Sequence, residues 1–419
     1  MAKRNILRLI FPAWMNKDLK IIYIARLFMS TNRALAGIVV AIYFTIDGLS
    51  ALQLGLVFLS VGIFSALLST TIGILSDQIG RKVFMVAVPG LTAAASLVFF
   101  LTHNLFLLIL AAIIGSFGRG AGAGAGAVGP YQTVESALAL EKSKPEFRNN
   151  IFGRLGFASS IGAMIGSLLT LTISSDKTGK STELGFYHFV FFIAFLAALA
   201  ASLIALLLDK DAIIRKQNQK VKLKFPVKSK SLMYKLWITN SLNGIAVGLF
   251  GPFVSYWFFK RYGVGPQSIG ILFAIINVVT IVGTLSAANL AKKIGIINVV
   301  TIVRAAQSVL LIPMVLAPSF LISGGVYLIR MMVQRIGLPL RQSFVVSMAD
   351  ESERASVMAL SNLPNQMMMA AAPTFSGYLF EFFSQELPFE IAGVFQMANT
   401  VAFYLFFRKV KSEVGIKDS

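Results

Sequence analysis

An all-α integral membrane fold of twelve transmembrane helices, in two pseudo-symmetric sets of six, is predicted by three features of the sequence. The 419 residues are 56% hydrophobic and only 13% charged, with a mean hydropathy of +0.76, whereas soluble domains carry roughly a quarter charged residues. The apolar residues fall in long runs parted by short polar segments, and no charge interrupts Ala51 to Ser76 or Val83 to Thr102. The chain also repeats itself: Leu54-Gly55-Leu56-Val57-Phe58 returns as Ile269-Gly270-Ile271-Leu272-Phe273, and Leu75 with Ile79-Gly80 returns as Leu290 with Ile294-Gly295, all at one offset of 215 positions.

Each run is long enough for a hydrocarbon core about 30 Å thick, which takes about 20 helical residues. The first, 21–46, exceeds a signal-peptide core, carries Arg26 and Arg33 and lacks a small-residue cleavage site, so it reads as a retained helix. Spans follow at 53–75, 83–102, 105–136, 152–174 and 186–208. The only long polar stretch, 209–235, holds nine cations against Asp209 and Asp211 and reads as a solvated tether on anionic lipid. Six more spans resume at 236–259, 268–291, 297–317, 321–349, 356–380 and 390–407. The expected domains are therefore 1–208, the linker 209–235, and 236–419. Alternate polar segments on the linker side carry 27 of the 38 Lys and Arg, and the opposite set only Lys177, Lys180, Lys260 and Arg261. The positive-inside rule then places both termini and the linker in the cytoplasm, with the chain multi-pass in the cell membrane.

Between the second and third runs lies Gly73-Ile-Leu-Ser-Asp77-Gln-Ile-Gly80-Arg81-Lys82, a polar elbow in which Gly80 gives the turn its φ freedom and the cations mark its side. The stretch resembles the signature loop between the second and third helices of the major facilitator superfamily, with Gly73, Leu75, Ser76, Asp77, Gly80, Arg81 and Lys82 all on the pattern. The resemblance implies two rocking six-helix bundles, a secondary transporter working by alternating access, and a latch in which Asp77 meets a helix end of the other half while the cations hold neighbouring loops. In the second copy Lys292 and Ile296 replace Asp77 and Arg81. Gly162-Ala-Met-Ile-Gly166 resembles the start of the antiporter signature, but Ser167-Leu168-Leu169-Thr170-Leu171 departs from its continuation.

Composition narrows the function. A net charge of +20 does not imply nucleic acid, because the cations sit between apolar spans and suit lipid headgroups. With no Cys and only His103 and His188, neither a thiolate or imidazole metal site nor a catalytic centre has material, no cofactor is expected, and a membrane enzyme is excluded.

With Arg154 and Glu390 counted to the polar segments at their span ends, seven cations lie inside spans, and all are Arg: Arg26, Arg33, Arg119, Arg304, Arg330, Arg335 and Arg341. Among acids only Glu135 does. An Arg at mid-bilayer costs about 3 kcal/mol on insertion scales, so each needs a polar cavity or a partner. Arg26, Arg304 and Arg341 are close enough to the cytoplasmic face to snorkel. Arg33, Arg119 and Arg335 fall near mid-span, in helices that the resemblance places around a central cavity, with Arg330 about 7 Å further out. Such a cavity favours an anionic small-molecule substrate, since Arg presents a planar fork to carboxylate or phosphate; a structural or proton-handling role for Arg119 is the alternative. Asn32, Asn243, Tyr256, Gln334 and Asn365 are the neutral candidates, with Tyr131, Gln132, Asn240, Trp257, Asn362 and Gln366 as further donors and acceptors. Glu135 and Asp47 are the candidates for a coupling proton, a counter-anion being the other coupling partner. The Gly118, Gly122 and Gly126 spacing predicts close helix packing, with a kink at Pro130. The rival readings are a proton-driven multidrug exporter, to which 35 Phe and 15 Met would lend an adaptable pocket, and a transport-inactive receptor; the chain is expected to act as a monomer.

Overall fold

The computed structural model describes residues 11–12, 14–118, 129–173, 180–209, 226, 228–350 and 353–408. Among these, every regular element is helical. In chain order they are α1 (Lys17–Ile46), α2 (Ala51–Ile79), α3 (Arg81–Leu101), α4 (Leu105–Gly115), α5 (Pro130–Lys142), α6 (Arg148–Leu169) and α7 (Lys180–Leu206) in the first half. The second half holds α8 (Lys230–Phe250), α9 (Val254–Tyr262), α10 (Pro266–Ile294), α11 (Ile296–Val309), α12 (Leu311–Leu316), α13 (Phe320–Met348), α14 (Arg354–Ser361), α15 (Leu363–Phe382) and α16 (Leu387–Phe407).

Among the described residues, eight segments are long and apolar enough to cross a bilayer, α8 and α9 counting together as Lys230–Tyr262. Large apolar side chains stand on the outer surface, among them Leu67 at 62% exposure, Phe106 at 74% and Leu321 at 84%, which is the surface a lipid solvent requires.

The repeat is realised in the helix ends. Helix α2 and helix α10, 215 positions later, share length and limits, and each is followed by a glycine outside the range of L-residues, Gly80 at φ +113° and Gly295 at φ +82°. The polar elbow is thus shorter than its composition suggests: α2 runs through Gly73 and Asp77 to Ile79, and Gly80 alone turns the chain into α3. The sequence-predicted fourth span is not one helix. Helix α4 stops at Gly115, Ser116 adopts the left-handed conformation (φ 55°), and α5 starts afresh with Pro130 at its first turn. Pro130 therefore begins a helix rather than kinking one, as its missing N–H allows. Gly118, at φ +87°, is a turn residue packed on Phe58 and not the first member of a helical stripe; Gly122 and Gly126 lie outside the described residues.

The end carrying Lys17, Gly80, Lys142, Leu208, Lys230 and Met348 is called here the linker end, and the opposite one the far end. At the far end one apolar core joins both halves, uniting Leu35–Phe44, Phe58 and Phe191 with Phe250–Phe258, Phe273, Tyr327 and Phe389. At the linker end there are two separate cores, one from Met15 to Leu208 and one from Met233 to Phe407. The halves therefore pack together at one end and part towards the other.

Backbone-to-backbone contacts close the far end. A Cβ at Gly55 would lie 2.6 Å from the Pro373 carbonyl oxygen, and one at Gly62 2.8 Å from Ala370 Cβ, so α2 and α15 touch through glycine. Gly270, the repeat partner of Gly55, meets Ser167 and Thr170 of the first half in the same way. Hydrogen bonds complete the seam: Leu52 N–H donates to Glu381 at 2.8 Å and Gln267 Nε2 to the Ile173 carbonyl at 2.5 Å.

Candidate functional site

Counting 1.5 Å of rise per residue, Arg33, Arg335, Asn243 and Asn365 all lie about 16–24 Å from the linker end, near mid-depth. Arg33 is 6% exposed on α1, with its guanidinium against Gly129, where an added Cβ would be 2.9 Å from Nη2. The φ of +91° at Gly129 and the absence of a side chain there leave room for that fork. Arg335 and Gln334 are half-buried midway along α13. Asn243 Nδ2 donates to Asn365 Oδ1 at 2.9 Å, tying α8 to α15, and Asn365 Nδ2 lies 3.4 Å from Met369 Sδ. Arg119 lies outside the described residues.

Other candidates are placed elsewhere. Asn32 is fully buried within the first half, its Nδ2 donating to Ser96 Oγ at 3.0 Å and to the Ala194 carbonyl at 2.8 Å. Tyr256 sits about 9 Å from the far end, stacked edge-on against Phe253 and Phe380 in the shared core. Asp47 caps the far end of α1.

Two of the arginines expected to snorkel, Arg26 and Arg304, are instead buried. Arg26, 3% exposed, donates from Nη1 to Glu135 Oε2 at 2.6 Å, and both side chains are enclosed between α1 and α5. Glu135, the one intra-span acid, is thereby spent on the nearest Arg, because an unpaired charge there would be costlier than the pair. Its Oε1 and the hydroxyl of Tyr131, one turn before it, have no hydrogen-bond partner among the described residues. Arg304, 5% exposed, donates to Asn399 Oδ1 at 2.9 Å and lies 4.9 Å above the Phe403 ring. Arg330, 1% exposed, donates from Nε to the Gln307 carbonyl and stacks 4.2 Å from the Phe250 ring, inside the second half.

At the linker end the elbow cations bind their own half. Arg81 donates to the Ala137 carbonyl at 3.0 Å and to Glu141 at 2.9 Å, and Lys82 donates to the Leu208 carbonyl. The side chain of Asp77 lies outside the described residues. Nearby, Lys142 pairs with Asp18 at 2.9 Å and Lys17 with Asp209 at 3.0 Å. The Lys17 hydrogen bond and charge hold the exposed Asp209 carboxyl below its ordinary 3.8. In the second half burial pushes the Glu353 carboxyl up, but the N–H groups of Lys228 and Ser229 outweigh it and leave it below its ordinary value. A cavity of about 480 Å³ opens there between Lys228, Lys235, Asp350 and Phe407; it stands at the linker end, apart from the mid-depth polar set, and is not where a solute would be held between the halves.

Two arrangements were not legible in the sequence. The only two histidines meet, His103 and His188 rings 4.1 Å apart at the far end, with Tyr43 Oη 3.1 Å from His188 Nε2. Gln307 and Asn399, which satisfy buried arginines, gave no signal beyond being polar residues in apolar spans.

The sequence profile of the Major Facilitator Superfamily matches the chain over residues 22–334 and 236–418. An uncharacterized membrane protein of Saccharomyces cerevisiae is 20% identical over 338 residues, covering 73% of this chain and 75% of its own. Among solved structures, the nucleoside transporter NupG superposes with a TM-score of 0.72 at 16% identity, covering 94% of this chain and all of its own. A bacterial homolog of the human lysosomal transporter Spinster, inward-facing and unoccupied, gives 0.72 at 14% identity, with 95% and 98% covered. A D-xylose–proton symporter gives 0.68 at 14%, with 93% and 97% covered.

Proposed function

The chain belongs to the major facilitator superfamily, a family of membrane transporters, and from that premise we propose that it is a secondary transporter carrying a small organic anion by alternating access. The observation that carries the anion reading is the charge inventory by depth. Arg33 and Arg335 stand near mid-depth on opposite halves, Arg119 belongs to the same level by sequence, and the single intra-span acid is already bound to Arg26. Arg binds a carboxylate or phosphate through a bidentate fork, so two such groups at one level favour a solute that bears either. Asn243, Asn365 and Gln334 are the neutral residues at that level, available to a solute's acceptors and hydroxyls.

Alternating access is supported by the packing of the two halves. They share a core at the far end and hold separate cores at the linker end. We take the linker end as cytoplasmic from its Lys and Arg excess, which makes this arrangement open to the cytoplasm. In the opposite state the glycine seam at α2 and α15 would part, and Asp77, Gly80, Arg81 and Lys82 would close the linker end.

The test is counterflow in liposomes with a panel of organic anions, cations and neutral solutes. Arg33→Ala and Arg335→Ala are expected to abolish anion flux while the proteins remain monodisperse; unchanged flux in both, or flux confined to cations, refutes the reading. Coupling to a proton has its own observation, the enclosed Glu135 with a partnerless Oε1 beside Tyr131. A pH-sensitive dye should then report proton movement with the solute in the native chain and none in the Arg26→Met/Glu135→Gln double variant. Nothing specific favours the multidrug or receptor alternatives: aromatic candidates such as Tyr256 and Trp257 are packed into the far-end core.

A further inference from the structure

The second half holds a cluster of hydrogen-bond donors with no anion of its own. Arg304 on α11, Arg341 on α13 and Asn399 on α16 all lie about 10–12 Å from the linker end by helical rise, and α11 packs against both α13 and α16. Arg304 is 5% exposed and Asn399 is fully buried. The orientation of the Asn399 amide is fixed by chemistry: its Oδ1 accepts from Arg304 Nη1 at 2.9 Å, so its other atom is the NH2 group. That Nδ2 is buried with no acceptor among the described residues. Arg341 is half-buried and makes no hydrogen bond or ion pair with any described residue. In the described second half, carboxylates appear only near helix ends, Asp350 and Glu353 at the linker end and Glu381, Glu386 and Glu390 at the far end.

A buried guanidinium with a second, half-buried one at the same depth on the adjoining helix and no carboxylate is unfavourable in a low-dielectric setting, and a buried amide NH2 left unpaired adds the cost of its desolvation. We infer that Arg304, Arg341 and Asn399 form an inorganic-anion site within the second half-bundle, suited to a halide such as chloride. N–H donors carried at one depth by three helices of the same half can replace the hydration shell of a spherical ion without demanding a fixed geometry from it. The Phe403 ring beneath Arg304, packed on Phe407 and through it on Phe344, closes one side with apolar surface. The half-buried Arg341 provides the approach. Because α11, α13 and α16 belong to one half, the bound ion would fix their mutual packing, and it does not depend on the substrate reading.

The full-length protein is purified in detergent with gluconate as the only anion, and its thermal unfolding is followed as chloride, bromide or phosphate replaces gluconate at constant ionic strength. A saturable rise in Tm with chloride and bromide is expected, with the half-saturating concentration at least roughly tenfold higher in Arg341→Gln and Arg304→Gln. Arg33→Ala and Arg335→Ala should respond like the native chain, which separates this site from the substrate site. A bromide soak should give an anomalous peak beside Asn399. Should Arg304→Gln fail to fold, Arg341→Gln alone decides, since its side chain is only half-buried. The inference is overturned if halide gives no specific shift in the native protein, if Arg341→Gln keeps the full shift, or if only phosphate or phosphatidylglycerol stabilises the chain.

Discussion

Removing the guanidinium of Arg26 is the sharpest test of the packing described above. Arg26 and Glu135 meet at 2.6 Å with 4% and 2% of their side chains exposed, so neither is screened by solvent. At an effective dielectric of about 20 and about 4 Å between charge centres, their attraction is on the order of 4 kcal/mol. Both have also been stripped of hydration, so the pair as a whole contributes far less than that to stability, while loss of one member exposes the full cost of the other. Arg26→Met should therefore destabilise the protein by about 3–5 kcal/mol, and Glu135→Gln by a similar amount. The double variant, which buries no charge at this point, should be no less stable than either single variant, so the coupling energy should be at least about 3 kcal/mol. The assay is a double-mutant cycle on reversible denaturant unfolding in micelles at neutral pH. If the two single effects add to within about 0.5 kcal/mol, the two side chains do not interact and the reasoning fails.

Three further outcomes follow from other parts of the molecule. Gly55→Ala places a Cβ 2.6 Å from the Pro373 carbonyl oxygen, so the far-end seam must open; because the chain has no cysteine, a single Cys at Phe58 should label several-fold faster in that background, and equal labelling would show that the seam yields without parting. Gly80→Ala and Gly295→Ala force an L-residue to φ +113° and φ +82°, a strain of about 1–3 kcal/mol each that should lower Tm in both, whereas Gly153→Ala, in helical backbone with open space around it, should not. The depressed carboxyl of Asp209 stabilises the Lys17 contact at pH values above its ordinary 3.8, and that contribution disappears as pH falls through the lowered value. Protease cleavage after Asp209 should therefore accelerate in the native chain only on acidification below about 4, with the acid dependence absent in Lys17→Ala.

Eight of the apolar runs that read as spans are, among the described residues, segments long and apolar enough to cross a bilayer, and they were legible because a helix in lipid must satisfy its backbone internally and show about 20 apolar residues to do so. The 215-residue offset likewise fixed the correspondence of α2 with α10 before any coordinate, down to the glycine that ends each. Depth was readable too: Arg33 and Arg335 near mid-span, Arg26 and Glu135 nearer the linker end. Rotation about each helix axis was not, since residues facing lipid and residues facing another helix are equally apolar in this solvent. Partnership therefore had to come from tertiary packing, which joined Arg26 to Glu135 across 109 positions and Arg304 to Asn399 across 95. It also turned Asn32 into the first half and set His103 against His188. The stop of α4 at Gly115 and the fresh start at Pro130 were hidden for a related reason, since hydropathy does not register where one helix ends and the next begins. Closure at the far end is likewise a property of two surfaces meeting, and only Gly55 and Gly270, small residues at equivalent places in each repeat, hinted where that would happen.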